Sequence, residues 1–151
     1  MRIEESIPIS ASREEVWRHV SQPERYSQFM VGTSWAPVPG EPTTGMRARF
    51  RIRIEVRSID LGGLVEFVEW DRPHELAWTS ITGIDQRGRW ILRDRDGTTE
   101  VTLRVSYQVP GGVLALVASQ LSGPLIRRDV RRSLAALREI VEGGPRTGGG
   151  R

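Results

Sequence analysis

The sequence predicts an α+β domain in which a curved antiparallel sheet of about six to seven strands closes around a long C-terminal helix. Three observations carry this reading. Between positions 46 and 57 the chain alternates strictly. Met46, Ala48, Phe50, Ile52, Ile54 and Val56 take one parity; Arg47, Arg49, Arg51, Arg53, Glu55 and Arg57 take the other. One face of that strand is therefore dry and the other wet. Shorter apolar runs separated by turn residues follow as far as Val109. After Pro110-Gly111-Gly112 the period becomes helical. A sheet with one dry face needs a cover, and the C-terminal helix is the element long enough to supply it.

Taken in order, Met1 to Ser10 alternates around Ile3, Ile7 and Ile9 and suits a first strand. Ser12, with Glu15 three residues on, has the form of a capping box. Val16, Trp17 and Val20 then follow at helical spacing. Pro23 opens a second short helix, Glu24 to Met30, which buries Tyr26 and Phe29. Thr33 to Pro39 reads as a strand closed by Pro39-Gly40. Beyond the long strand, Gly62-Gly63 turns the chain into a strand from Leu64 to Trp70. Apolar residues fall on both of its faces, so its inward parity stays open.

Arg72-Pro73 turns the chain again. Leu76, Trp78 and Ser80 share a face, as do Gly88, Trp90 and Leu92 on the next strand. Asp96-Gly97 marks a tight hairpin. Val101, Leu103, Val105, Tyr107 and Val109 line the last strand. The helical stripe starts with Val113, Leu114, Val117 and Leu121. It continues through Leu125, Val130, Leu134, Leu137 and Val141, with a kink or break expected at Gly123-Pro124. Gly143 and Gly144 end it. The expected organisation is one domain over residues 1–144 and a disordered tail over 145–151.

Composition narrows the function classes. No cysteine is present, which excludes a disulfide framework, a thiolate nucleophile and a Cys-ligated metal. The 22 basic residues are all arginine, so a pI of 10.4 coexists with a net charge of only +3. Arginine without lysine or asparagine suggests a GC-rich bacterial genome. The opening MRIEESIPIS lacks the apolar core of a signal peptide, and no apolar run approaches spanning length. A cytoplasmic protein without integral membrane association is expected. The arginine face of the long strand is diluted by Glu55, Glu66, Glu69 and Asp71, the usual arrangement for cross-strand ion pairs, so no nucleic-acid partner is expected. Arg127, Arg128, Arg131 and Arg132 read as the solvated back of the helix. His19 and His74 stand apart with no ligand spacing around them. Neither a metal nor a cofactor is nominated.

Four stretches stand out together: Ile7 to Trp17, Gln22 to Tyr26, Val68 to Trp78, and Gly123 to Arg128 followed by Ser133 to Leu137. In this order and spacing they resemble the START-like, helix-grip superfamily (SRPBCC), in particular its bacterial polyketide cyclase/dehydrase-like members. The likeness covers Arg2 to Glu142. It implies a helix-grip fold with a cavity between sheet and helix for lipids, polyketides, isoprenoid-like or other apolar molecules. It does not imply one chemistry.

The expected cavity-lining residues are Phe50, Ile52, Ile54, Trp78, Ser80, Trp90, Tyr107, Val117, Leu121 and Leu125, and no catalytic residue is nominated. Trp17, Trp78 and Trp90 point inward, and each indole N–H wants a partner once buried. Tyr107 is the leading candidate for a polar contact to a ligand. The first expectation is a binding module for a small apolar molecule. The second is a cyclase or dehydratase, which requires Tyr107, Glu5, His19 or another acid or base to reach the cavity. The third is a protein-interaction module using the 113–121 segment. Oligomeric state stays open between monomer and homodimer.

Overall fold

The computed structural model describes residues 1–56, 59–109, 111–112 and 122–143. Strand β1 (Arg2–Ile9) leads into helix α1 (Arg13–Val20) and a 3-10 helix (Pro23–Gln28). Strands β2 (Thr33–Pro37), β3 (Arg49–Val56), β4 (Ile59–Asp60), β5 (Gly63–Asp71), β6 (Glu75–Ser80), β7 (Asp85–Arg95) and β8 (Thr98–Gln108) follow, and helix α2 (Gly123–Gly143) closes the described chain. The sheet order is β1-β8-β7-β6-β5-β3-β2, antiparallel at every step, with β4 paired to β3. The sheet curls around α2, which packs on β1 and β8 at one edge. This is the α+β helix-grip layout.

Local chemistry sets the boundaries. The Ser12 side chain accepts a hydrogen bond from the Glu15 N–H at 3.2 Å, so the capping serine starts α1 as its spacing predicts. Asp96 and Gly97 both take positive φ, which makes the β7–β8 hairpin a two-residue turn. The long alternating strand begins later than its sequence suggests. Arg47 has φ 74 and Met46 is 56% exposed, so the chain is still turning there, and only Ala48 onward joins the buried face.

The ambiguous parity of β5 has a physical cause. Val65 and Phe67 are inward, but the register with β6 slips between Phe67 and Glu69. This β-bulge takes up Val68, which is 40% exposed, and places Trp70 on the inner face opposite Leu76. The break foreseen at Gly123-Pro124 coincides with the first turn of α2, where proline costs no helical hydrogen bond. Val113, Leu114, Val117, Leu121, Arg57, Ser58 and the 145–151 segment lie outside the described residues.

α2 buries Val130, Ser133, Leu134, Leu137 and Val141, a stripe at three- and four-residue steps that faces the sheet. At the α1 end the core is dominated by rings. Trp17 meets Trp70 edge-on at 5.7 Å, and Trp70 meets Phe67 at 5.3 Å. Phe67 contacts Phe50, Trp35 and Trp78, and Trp35 passes the chain on to Tyr26, Phe29 and Trp90. Nine aromatic side chains thus form one connected cluster that fills this half of the interior.

Candidate functional site

The interior is not filled evenly. A small second apolar cluster, Leu61 and Ile84 with Ile54, Tyr107, Val109 and Ile126 packed against them, lies apart from the main core. Between the two, sheet and helix leave a cavity of about 110 Å³. Its sheet wall is made by Trp35 of β2, Ile52 and Ile54 of β3, Trp78 of β6, and Leu103, Val105 and Tyr107 of β8. Ile126 and Val130 of α2 form the roof, and Met30 to Thr33, the segment ahead of β2, forms one side. A larger hollow of about 670 Å³ lies among Arg2, Glu69, Arg89 and Arg104. Arg2, Arg89 and Arg104 there are engaged in ion pairs with Glu4, Glu69 and Glu75. The inner cavity is the apolar one, and it is the candidate site.

Besides Glu55, Arg87 and Ser106, its polar wall groups fall into two sets. The first set is already satisfied. The Ser133 hydroxyl accepts from Val31 N–H at 2.8 Å and donates to the Asp129 carbonyl at 2.8 Å, pinning the segment before β2 to α2. Thr33 Oγ1 accepts from the Trp35 indole N–H at 3.2 Å. The Asp129 carboxylate is paired to Arg128 at 3.5 Å and lies against Gly32, where a Cβ would stand 2.7 Å from Oδ2. Any side chain at position 32 would push that carboxylate aside. Tyr107 donates to the Met1 thioether at 3.0 Å, and burial raises its phenol above the ordinary value.

The second set has no partner among the described residues. It consists of Trp78 Nε1 and Gln86 Nε2, both buried. Away from the cavity, Trp90 Nε1 is likewise buried without a hydrogen-bond partner among the described residues. The Tyr26 hydroxyl donates to the Val20 carbonyl, and burial drives its phenol well above the ordinary value.

Of the residues named from the sequence, Ile52, Ile54, Trp78 and Tyr107 line the cavity. Phe50 and Trp90 lie in the closed aromatic half, fully buried. The Ser80 hydroxyl accepts from Gln86 N–H at 3.2 Å and closes the β6–β7 connection. Leu125 is half-buried beside the roof, where its neighbour Ile126 takes the lining position. Val117 and Leu121 lie outside the described residues.

Glu5 faces inward and does not stay in water as its place near the strand start suggests. Arg127 and Arg131 of α2 both bind it, so these two arginines clamp the helix to β1 and are not part of its solvated back. His19 hydrogen-bonds the Glu15 carbonyl at 3.1 Å within α1, and His74 faces Asp71 at 3.6 Å. Neither lines the cavity. Among the described residues no cluster of three metal-ligating side chains occurs, and no helix is long and apolar enough to cross a membrane.

Sequence reasoning passed over Trp35, Gln86 and Asp129. Gln86 carried a usable signal, because it extends the even face of Gly88 and Trp90. Asp129 and Ser133 did not, because a polar pair on an arginine-rich helix looks like solvated surface.

Solved structures of other proteins share this fold. The chain superposes on TTHA0849 from Thermus thermophilus with a TM-score of 0.77 at 22% identity, covering 95% of this chain and 98% of that one. It superposes on the ZhuI aromatase/cyclase from Streptomyces sp. R1128 with a TM-score of 0.76 at 16% identity, over 100% and 99% of the two chains. Norcoclaurine synthase from Thalictrum flavum gives 0.64 at 13% identity, over 95% and 94%. At these identities the likeness shows a shared fold. No curated protein matches the chain. The family model described as polyketide cyclase/dehydrase and lipid transport matches residues 1–142, and the chain belongs to that family.

Proposed function

We propose that the protein binds a small apolar molecule in the cavity between the sheet and α2. The observation that carries this reading is the cavity itself, a space of about 110 Å³ with mainly apolar walls between sheet and helix. Empty apolar space forfeits dispersion contacts, and an occupant restores them. An engineered apolar cavity of ~150 Å³ takes up benzene, so the dimensions favour a single ring or a short branched chain over a fused polycycle.

The test is ligand-observed NMR with α-methylstyrene. The wild type is expected to give saturation transfer that a second one-ring hydrocarbon displaces. Val105→Phe, which fills the wall from β8, is expected to abolish it without unfolding the protein. Absence of transfer to the wild type from both α-methylstyrene and acetophenone, each up to its solubility limit, would sink the binding reading.

A second reading is favoured by one observation: a carboxylate, Asp129, and a phenol, Tyr107, line the same cavity. Two structural neighbours are named as an aromatase/cyclase and a synthase, which supports a chemical role on this fold. Cyclisation and dehydration both begin by removing a proton next to a carbonyl. Here Asp129 would take the proton while the electron pair moves to the carbonyl oxygen. Acetophenone in D₂O reports this step without knowledge of the natural substrate. If Asp129 acts as a base, deuterium enters the methyl group faster than in a protein-free control, and Asp129→Asn lowers that rate at least tenfold. Exchange no faster than the control would remove the enzymatic reading.

A further inference from the structure

An indole N–H can only donate, and buried donors in folded proteins are almost always met. Trp78 is 3% exposed, lines the cavity, and leaves Nε1 without a partner among the described residues. The ring has room there because a side chain is missing opposite it. Gly88 is its cross-strand partner on β7, and a Cβ at Gly88 would stand 1.9 Å from Cζ2 and 2.3 Å from Cε2 of the indole. Cη2 is as near as Cε2, so the Cζ2 corner of the six-membered ring lies over Gly88, with Cε2, the atom bonded to Nε1, beside it.

Gln86 sits two residues before Gly88 on that strand and shares its face, with Nε2 also buried and unmet. Tyr107 and Val105 stand opposite these two positions on β8. Two residues of the cavity lining thus carry buried donors without partners among the described residues, whereas Thr33 Oγ1 and the Ser133 hydroxyl are already bonded within the protein.

We propose that the cavity selects a molecule carrying an acceptor oxygen on an apolar frame, a ketone, ester or ether, seated on Trp78 Nε1 and Gln86 Nε2. This rests on the binding reading above and adds the chemical class of the ligand and the two residues that read it. A hydrocarbon of the same shape fills the space and leaves both donors unmet.

Acetophenone and α-methylstyrene differ only in C=O against C=CH₂ and make the comparison direct. Both are titrated by NMR into ¹⁵N-labelled protein, with the Trp78 indole cross-peak assigned through Trp78→Phe or, if that variant does not fold, by through-bond experiments on the wild type. Acetophenone is expected to bind at least tenfold tighter and to move the Trp78 Nε1–H signal downfield, and Gln86→Leu is expected to shrink that preference by weakening acetophenone relative to α-methylstyrene. Equal affinities with an unmoved Trp78 signal overturn the acceptor inference and leave the binding reading standing. Binding of neither compound overturns both.

Discussion

At the scale of single residues, the Trp78–Gly88 pair governs the cavity. The indole occupies the space that any side chain at 88 would need, so even alanine forces the ring to move. Gly88→Ala is expected to destabilise the protein by about 1–3 kcal/mol, the usual range for overpacking a tight interior. Urea denaturation checks this, and a loss under ~0.5 kcal/mol would show that the ring shifts freely. The pair was half legible in the sequence. Parity put Trp78 and Gly88 on inner faces, but nothing in a one-dimensional pattern pairs 78 with 88 across two strands. Gln86 could have been read from the same parity. Asp129 could not, because a carboxylate between arginines on a helix looks the same whether it faces a cavity or water.

At the scale of elements, helix α2 is held to β1 by more than its apolar stripe. Arg127 and Arg131 converge on Glu5, whose side chain is only 17% exposed. Burial alone would raise the Glu5 carboxyl, but hydrogen bonds and charge from the two arginines outweigh it and hold the carboxyl below its ordinary value of 4.5. A depressed folded value means that the clamp contributes fully above the unfolded value and fades as pH falls through the folded one. Glu5→Gln is therefore expected to cost about 1–2 kcal/mol near neutral pH, reduced by the exposure of both arginines. The difference from wild type should shrink below about pH 4.5. Thermal unfolding of both proteins across that range checks the sign; a gap that widens in acid would refute the clamp.

The helix stripe and the strand alternation were readable in advance because solvent imposes their periods. The bulge in β5 was visible only as an unresolved parity. A one-residue insertion swaps faces midway through a strand, and no single period fits both halves.

At the scale of the whole molecule, the division of the interior explains what the sequence could and could not reveal. Element order, sheet, cover and family were readable, because binary pattern and turn residues decide them. Which inner face is core and which is cavity was not, because both are apolar. Phe50 and Trp90 share the parity of the lining residues yet belong to the aromatic half. That half also makes the molecule an optical instrument. Trp35 and Trp78 stand 5.0 Å apart with their planes at 89°, and both border the cavity. Indoles that close share their excited states, so their coupled band in near-ultraviolet circular dichroism depends on the angle between them. A guest that tilts either ring changes the sign or splitting of that band, and the unlabelled protein reports its own occupancy.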